Sequence, residues 1–198
     1  VLFSLMATAP VQAQLNADLG VQAGRTATTL SGTTSWADTG WRSGWTVAGT
    51  ARIPLSRQLR VHTRVAYTQK GMQGTAPPTL GATDITMKMN YVEIPVLVEA
   101  TWARDAFVTS HLFAGPAIGF NMNATYASEE TLTSVPALRS EVNRTEASVV
   151  VGLGGSVEVN YHTVVLQMQY QAGLTPVLDT DNGTLRTHAV GLMLEAIF

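Results

Sequence analysis

The feature that most constrains this chain is a one-by-one alternation of apolar and polar residues. In its last segment, Val190, Leu192 and Leu194 share one parity, and Thr187 and Glu195 share the other. Successive side chains of a β-strand point to opposite faces, so this period of two predicts strands with one apolar face. We expect the apolar face of every strand to be free of Asp, Glu, Lys and Arg. A face of that kind is suited to contact with lipid, because Arg or Lys there costs about 2–4 kcal/mol at mid-bilayer.

Eight alternating segments follow Gln14, and most exceed the common strand length of about 5–6 residues. They reach the roughly 9–11 residues that a tilted strand needs to cross hydrocarbon. The predicted strands are Leu15–Thr28, Trp41–Leu55, Leu59–Gly71, Met87–Trp102, Val108–Tyr126, Arg144–Asn160, Thr163–Thr175 and Thr187–Phe198. The pattern predicts an all-β fold, an eight-stranded antiparallel up-and-down transmembrane β-barrel. Ten strands are the alternative if a long loop contains a hairpin.

The predicted connections alternate between short and long. Tight turns are expected at Ser56–Gln58, Ala103–Phe107 and Tyr161–His162. Long polar loops are expected at Thr29–Gly40, Met72–Thr86, Ala127–Asn143 and Pro176–Arg186. Short turns on one side and long loops on the other are typical of outer-membrane barrels. This arrangement predicts extracellular long loops and places both termini on the periplasmic side.

The low content of charged residues favours a barrel wall that faces lipid over one that faces water. Charged residues are 13% of the 198 residues, against about 25% in an average soluble domain. A soluble lipocalin-like barrel would need a well-charged polar face, whereas here that face is mostly Gly, Thr, Ser, Gln and Ala. The net charge of -2 argues against a nucleic-acid partner. The chain has no cysteine, which excludes disulfides and thiolate metal sites.

The first residues are predicted to be a targeting segment. Residues 1–13 form a short apolar run that ends in the small residue Ala13, and polar Gln14 follows. This pattern is typical of the end of a secretory signal peptide cut after Ala13. A short N-terminal strand or helix is the alternative. The predicted organisation is therefore a signal-peptide remnant at 1–13 and one barrel domain at 14–198, located in the cell outer membrane.

Charged residues on the polar parity predict an ion-paired filling of the barrel lumen. Arg52 and Arg60 lie on either side of a tight turn and are expected to face one another, with Asp18 and Glu99 as nearby acids. A network of this kind would fill a small eight-stranded lumen, either as structural packing or as the gate of a very narrow channel. The predicted lumen cluster, with a further Arg64–Glu93 pair, is Asp18, Arg52, Arg60, Arg64, Glu93, Glu99, Glu158 and Glu195.

Other chemistry has little support in the sequence. The four histidines, at positions 62, 111, 162 and 188, are too scattered for a metal motif. Ser110 and His111 are adjacent, so in a strand they point to opposite faces and do not form a hydrolase pair. The glycine-rich run Gly152–Gly155 is interpreted as room for close packing in the wall. We predict no catalytic residue, no cofactor and no metal, and a protein that is not an enzyme.

Two consecutive motifs resemble a known family. Tyr91–Val98 carries an aromatic-x-Glu-Ile-Pro-aliphatic pattern, and Phe113–Phe120 carries a Gly-Pro-x-x-Gly-Phe element. Together with Lys70-Gly71, these motifs resemble the small outer-membrane β-barrels called the porin family, or PorT-like barrels, of Bacteroidota. The resemblance spans residues 14–198 and implies an eight-stranded outer-membrane barrel without a transferable catalytic residue. Phe198 resembles the C-terminal aromatic signal that the barrel-assembly machinery reads.

The first functional hypothesis is a monomeric barrel with a structural or surface-interaction role. Its extracellular loops, chiefly Ala127–Asn143, would contact partners that the sequence does not identify, since binding residues concentrate on loops held by a rigid scaffold. The alternatives are a narrow passive porin-like channel, then a lipid-modifying outer-membrane enzyme, then a soluble binder. The expected partners are outer-membrane lipid and the barrel-assembly machinery, without nucleic acid.

Overall fold

In the computed structural model, one antiparallel sheet closes on itself into a barrel. The structure describes residues 17–32, 39–75, 84–104, 107–128, 143–180 and 183–198. Its strands are β1 (Asp18–Gly32), β2 (Thr39–Pro54), β3 (Leu59–Thr75), β4 (Asp84–Arg104), β5 (Thr109–Ser128), β6 (Thr145–Val159), β7 (His162–Gly173), β8 (Leu178–Thr180) and β9 (Gly183–Ile197). Each long strand pairs with the next, β7 pairs with β9, and β9 closes the ring against β1. The predicted eight-stranded antiparallel barrel is confirmed, with β8 as a short addition beside β9.

Most strands extend further than predicted where the connections are long, whereas β6 and β7 are shorter there by one and two residues. β3 continues to Thr75 and β4 begins at Asp84, so both ends of the predicted loop Met72–Thr86 are strand. β8 likewise lies inside the predicted loop Pro176–Arg186. Backbone pairing continues beyond the point where side-chain alternation fades, because the ladder is formed by main-chain groups. Residues 1–13, and the loop residues 33–38, 76–83 and 129–142, lie outside the described residues.

The two ends of the barrel differ. We call the end that carries the tight turns and residues 17 and 198 the turn end, and the opposite end the loop end. One turn consists of Asn160 and Tyr161, whose φ angles of 47° and 70° are both left-handed. Two such residues between paired strands form the tight hairpin turn that suits the right-handed strand twist. The turn therefore sits one residue earlier than the predicted Tyr161–His162.

The predicted parity agrees with the side-chain exposure. On β9, Leu192 and Leu194 are 55% and 57% exposed, whereas Met193 and Glu195 between them are 0% and 1% exposed. The apolar parity therefore forms the outer wall and the polar parity faces the lumen. The described residues include no helix that is long and apolar enough to cross a membrane.

The expectation that every outward face is free of charge is wrong at three described positions, one of which is Arg186, exposed on the outward parity of β9. Arg25 shares the exposed face of β1 with Leu19 and Val21, and Lys88 is exposed on the outward parity of β4. A basic side chain on the lipid side costs about 2–4 kcal/mol at the midplane and about 0–1 kcal/mol near an interface. Long basic side chains lower this cost by extending their charged ends towards the headgroups.

Aromatic side chains face outward near both ends of the wall. Trp41 and Trp45 lie on the loop-end half of β2, and the Trp45 ring is 5.2 Å from the ring of Tyr67. Amphipathic rings are enriched at membrane interfaces, and the outward position of these tryptophans agrees with that enrichment. The exposed aromatic residues at the turn end are Trp102, Phe107, Tyr161 and Phe198. The side chain of Tyr126 lies outside the described part of the chain.

Candidate functional site

The inward faces of the strands bring polar side chains from the whole sequence into one lumen. Five of the eight predicted residues are buried there, with 6% exposure or less: Arg52, Arg64, Glu93, Glu99 and Glu195. Arg60 is partly exposed, and Asp18 and Glu158 are exposed at the turn end. The structure therefore divides the predicted cluster into a buried part and a part at the mouth.

A lower cluster, formed by Arg52, Arg60, Glu99 and Glu195, lies nearest the turn end. Arg52 Nη2 donates to Glu195 Oε2 at 2.7 Å, and its Nη1 lies 3.4 Å from Glu99 Oε1. Arg60 Nη1 lies 3.6 Å from the same Glu99 oxygen. Thr50 donates to the other Glu195 oxygen at 2.7 Å. Arg52 on β2 is thus bound to two other strands, through Glu99 on β4 and Glu195 on β9.

The structure differs from the predicted arrangement of the lower cluster in two details. Arg52 is opposite His62 across the β2–β3 hairpin, and Arg60 is opposite Pro54, so the two arginines do not face one another. The turn is centred on Arg57, as predicted, and pairing about this centre places Arg52 opposite the residue two positions beyond Arg60. Asp18 is opposite Arg52 in register, but its side chain is exposed and makes no ion pair with any described residue.

A middle chain of amide side chains, with Arg64 at its centre, lies above the lower cluster. Arg64 donates to Gln22 Oε1 at 2.9 Å and to Gln169 Oε1 at 2.7 Å. Gln22 in turn donates to Gln167 at 2.9 Å, and Gln167 donates to Glu195 at 3.2 Å. The predicted Arg64–Glu93 pair is therefore replaced by contacts to neutral partners on β1 and β7.

An upper cluster is formed by Lys70, Glu93 and Glu146. It contains Glu93, which the sequence predicts as the partner of Arg64. Lys70 Nζ lies 2.7 Å from Glu93 Oε1 and 3.0 Å from Glu146 Oε2, and it stands 5.0 Å from the centre of the Tyr91 ring. Gln171 donates a further hydrogen bond of 2.8 Å to Glu93. The sequence prediction omitted Lys70 and Glu146, although both occupy inward positions of their strands.

Two histidines complete the lower lumen. His62 is fully buried, with its ring nitrogens 3.8 Å from Glu99 Oε2 and 3.8 Å from Glu195 Oε1. These separations exceed hydrogen-bonding distance, and both nitrogens lack a hydrogen-bond partner among the described residues. His111 is also buried and faces the lumen, whereas Ser110 is on the other parity of β5. Within the described part of the chain, no group of three or more acidic or histidine side chains is arranged to hold a metal ion.

The lumen is filled by large side chains that occupy the room left by glycines. A methyl group at Gly152 would overlap the ring of Phe113, and one at Gly154 would overlap the ring of His111. Phe113 also belongs to a buried apolar group with Leu97, Ala117 and Val150. The glycine-rich run of β6 therefore makes space for side chains of β5, in agreement with its interpretation from the sequence.

The two ends of the lumen have opposite character. An outer apolar cluster closes the loop end; its members are Leu30, Met72, Met87, Met89, Tyr91, Val177 and Leu185. At the turn end a polar cavity of about 740 Å³ includes Asp18, Arg60 and Glu158 among its lining residues. Water can thus enter from the turn end, whereas the side chains of the loop end form an apolar barrier above the upper cluster.

A family model and a solved structure with a TM-score above 0.5 point to the same architecture. A family model described as outer membrane protein beta-barrel domain matches residues 12–179. Among solved structures, Neisserial surface protein A (NspA) has 16% sequence identity and a TM-score of 0.51, covering 92% of this chain and 99% of its own. AlkL, solved in lipid bilayers, has 12% identity and a TM-score of 0.49, covering 99% of this chain and 97% of its own. Ail of Yersinia pestis has 12% identity and a TM-score of 0.42, with coverages of 90% and 98%. A search of curated protein sequences found no match.

Proposed function

Because this chain belongs to the family of outer membrane protein beta-barrel domains and resides in the cell outer membrane, we propose that it works through its extracellular surface, with a lumen closed to solutes. The barrel supplies a rigid frame, and the connections at its loop end contact molecules outside the cell. Loops held by a rigid scaffold are where binding residues concentrate. The observation that carries the proposal is the continuous filling of the lumen.

Three layers support a closed lumen. The lower cluster joins β2, β4 and β9, and the upper cluster joins β3, β4 and β6. Above both, the outer apolar cluster places Met72, Met87 and Met89 at no more than 1% exposure. An ion passing through would have to break buried ion pairs and then leave water within an apolar layer, which is costly without compensating partners.

A narrow channel is the second candidate, and the polar cavity at the turn end is the observation that favours it. This cavity of about 740 Å³ leads towards Arg60, whose guanidinium is part of the lower cluster. A passage from there would have to follow the middle chain of amide groups. Breaking hydrogen-bonded contacts to Arg64 is the obstacle along this route.

Conductance in planar lipid bilayers tests the proposal. We expect the purified barrel to give no stable single-channel steps, because the ion pairs and the apolar cluster block the lumen. Two variants extend the test: Arg60→Gln changes a charge inside the mouth, and Arg57→Gln changes an exposed charge in a turn outside it. Steps in the wild type whose ion selectivity shifts in Arg60→Gln but not in Arg57→Gln would establish the channel instead.

Surface labelling tests the proposed direction of the barrel. The chain has no cysteine, so a single introduced thiol is a unique reporter. We expect Ser134→Cys, in the connection 129–142, to react with a membrane-impermeant maleimide on intact cells. Arg57→Cys, in a turn at the other end, should react only after the cells are lysed. The opposite pattern would place the long connections in the periplasm and would remove the basis for a surface role.

A further inference from the structure

A shallow apolar depression of about 800 Å³ lies on the outer wall, and its lining residues come from β1, β2 and β3 and from their neighbours β4, β9 and β7. Gly49 forms part of its floor, and a methyl group built on Gly49 would meet no atom within 4 Å. Val21 and Val65 flank Gly49 across the two neighbouring strand pairs. The wall is therefore indented where its neighbours carry branched side chains, and the indentation is apolar.

Arg25 lies at the loop-end edge of this depression. It follows Ala23, a lining residue, on the same exposed face of β1. Its cross-strand neighbours are Trp45 on β2 and Leu192 on β9. Arg25 makes no ion pair with any residue that the structure describes. An unpaired guanidinium beside apolar neighbours on a lipid-facing wall needs an anion to offset the loss of hydration.

Among the side chains that the structure describes, the outward charges of the loop-end half have one sign. The described acidic side chains either face the lumen or, as with Asp18 and Glu158, lie at the turn end. The exposed basic residues on the wall and rim, none of them ion-paired within the described part of the chain, are Arg25, Lys88, Arg144 and Arg186. This distribution complements a layer of negatively charged headgroups.

We infer that the depression and Arg25 together bind a lipid of the outer leaflet whose phosphorylated headgroup carries a net negative charge. An acyl chain fills the space over Gly49 and Ala23, and the Arg25 guanidinium donates hydrogen bonds to a phosphate oxygen. Arginine binds phosphate with parallel, charge-assisted hydrogen bonds, which are stronger than neutral ones. This inference rests on the outer-membrane assignment, but it does not depend on whether the lumen conducts.

The test measures lipid A bound to the full chain in phosphatidylcholine nanodiscs, counted by native mass spectrometry. We expect the wild type to retain lipid A and Arg25→Gln to bind it about tenfold more weakly, the size of one lost hydrogen bond to a charged group. Gly49→Leu fills the depression and should weaken binding to a similar degree. Arg25→Lys keeps the charge and should retain part of the affinity.

Matched controls separate the site from general effects of charge and bulk. Arg57→Gln removes an exposed charge at the turn end, and Ala114→Leu places the same leucine side chain on the exposed face of β5; neither should alter lipid A binding. A heat-modifiable gel shift verifies that each variant is folded. Equal retention by Arg25→Gln and Arg57→Gln would overturn the inference, as would displacement of lipid A by millimolar inorganic phosphate. Conductance by the wild type would contradict only the closed lumen.

Discussion

Arg52→Met is expected to lower the free energy of unfolding by about 3–5 kcal/mol, the range for breaking a buried ion pair from one side. The substitution keeps an unbranched side chain, although a shorter one, and removes the cation between Glu99 and Glu195, both of which are 1% exposed. The two carboxylates would then remain buried, with the half-exposed Arg60 as the nearest remaining partner of Glu99. Urea unfolding from lipid vesicles, followed by tryptophan fluorescence, measures the loss.

Neutralising the partners tests the cause of this loss. In the triple variant Arg52→Met, Glu99→Gln, Glu195→Gln no buried carboxylate is left without its cation, so most of the stability should return. Arg57→Met, in the exposed turn, is the matched single control and should change stability by less than about 0.5 kcal/mol. If the triple variant is as unstable as Arg52→Met, the loss comes from packing and the electrostatic explanation is wrong.

Lys70→Met should have an effect of the same size, about 3–5 kcal/mol. Glu93 and Glu146 share this lysine at 2.7 Å and 3.0 Å, so its removal leaves two like charges close together in the upper lumen. Lys88→Met provides the matched control, because Lys88 is exposed on the outer wall. The same urea titration compares the two variants, and a loss that is equal in both would contradict the assigned role of Lys70.

The double variant Arg52→Met, Lys70→Met shows whether the two clusters act separately. The lower and upper clusters share no residue, and the middle chain around Arg64 lies between them. Sites without shared partners usually add to within about 0.5 kcal/mol. The losses of the single variants should therefore sum. A clearly smaller total would indicate that the amide chain couples the clusters into one network.

The architecture could be predicted from sequence because a single period of two locates the strands and also separates the outward side chains from those that face the lumen. Leu192 and Glu195 fall on opposite parities, and the structure places one on the wall and the other in the lumen. Arg25, Lys88 and Arg186 are exceptions, because they are charged and yet lie on the outward parity of their strands. The period of two determines which way a side chain points, but it does not determine whether an isolated charge is tolerated there.

The pairing of the lumen charges depends on geometry that alternation leaves open. Arg52 is predicted to face Arg60, but pairing about Arg57, the middle of the predicted turn Ser56–Gln58, makes His62 the partner of Arg52. Glu93 illustrates the second difficulty, because it faces the lumen as predicted and yet pairs with Lys70 instead of Arg64. Choosing between two cations on the same strand requires the register and the side-chain reach across the barrel interior.

Each buried cation of the lumen is tied to strands other than its own. Arg52 of β2 is held by β4 and β9, Arg64 of β3 by β1 and β7, and Lys70 of β3 by β4 and β6. These ion pairs and hydrogen bonds cross the lumen. The barrel therefore resists flattening as well as separation of its first and last strands. A barrel braced from within can carry changing sequences at its rim while its cross-section stays constant.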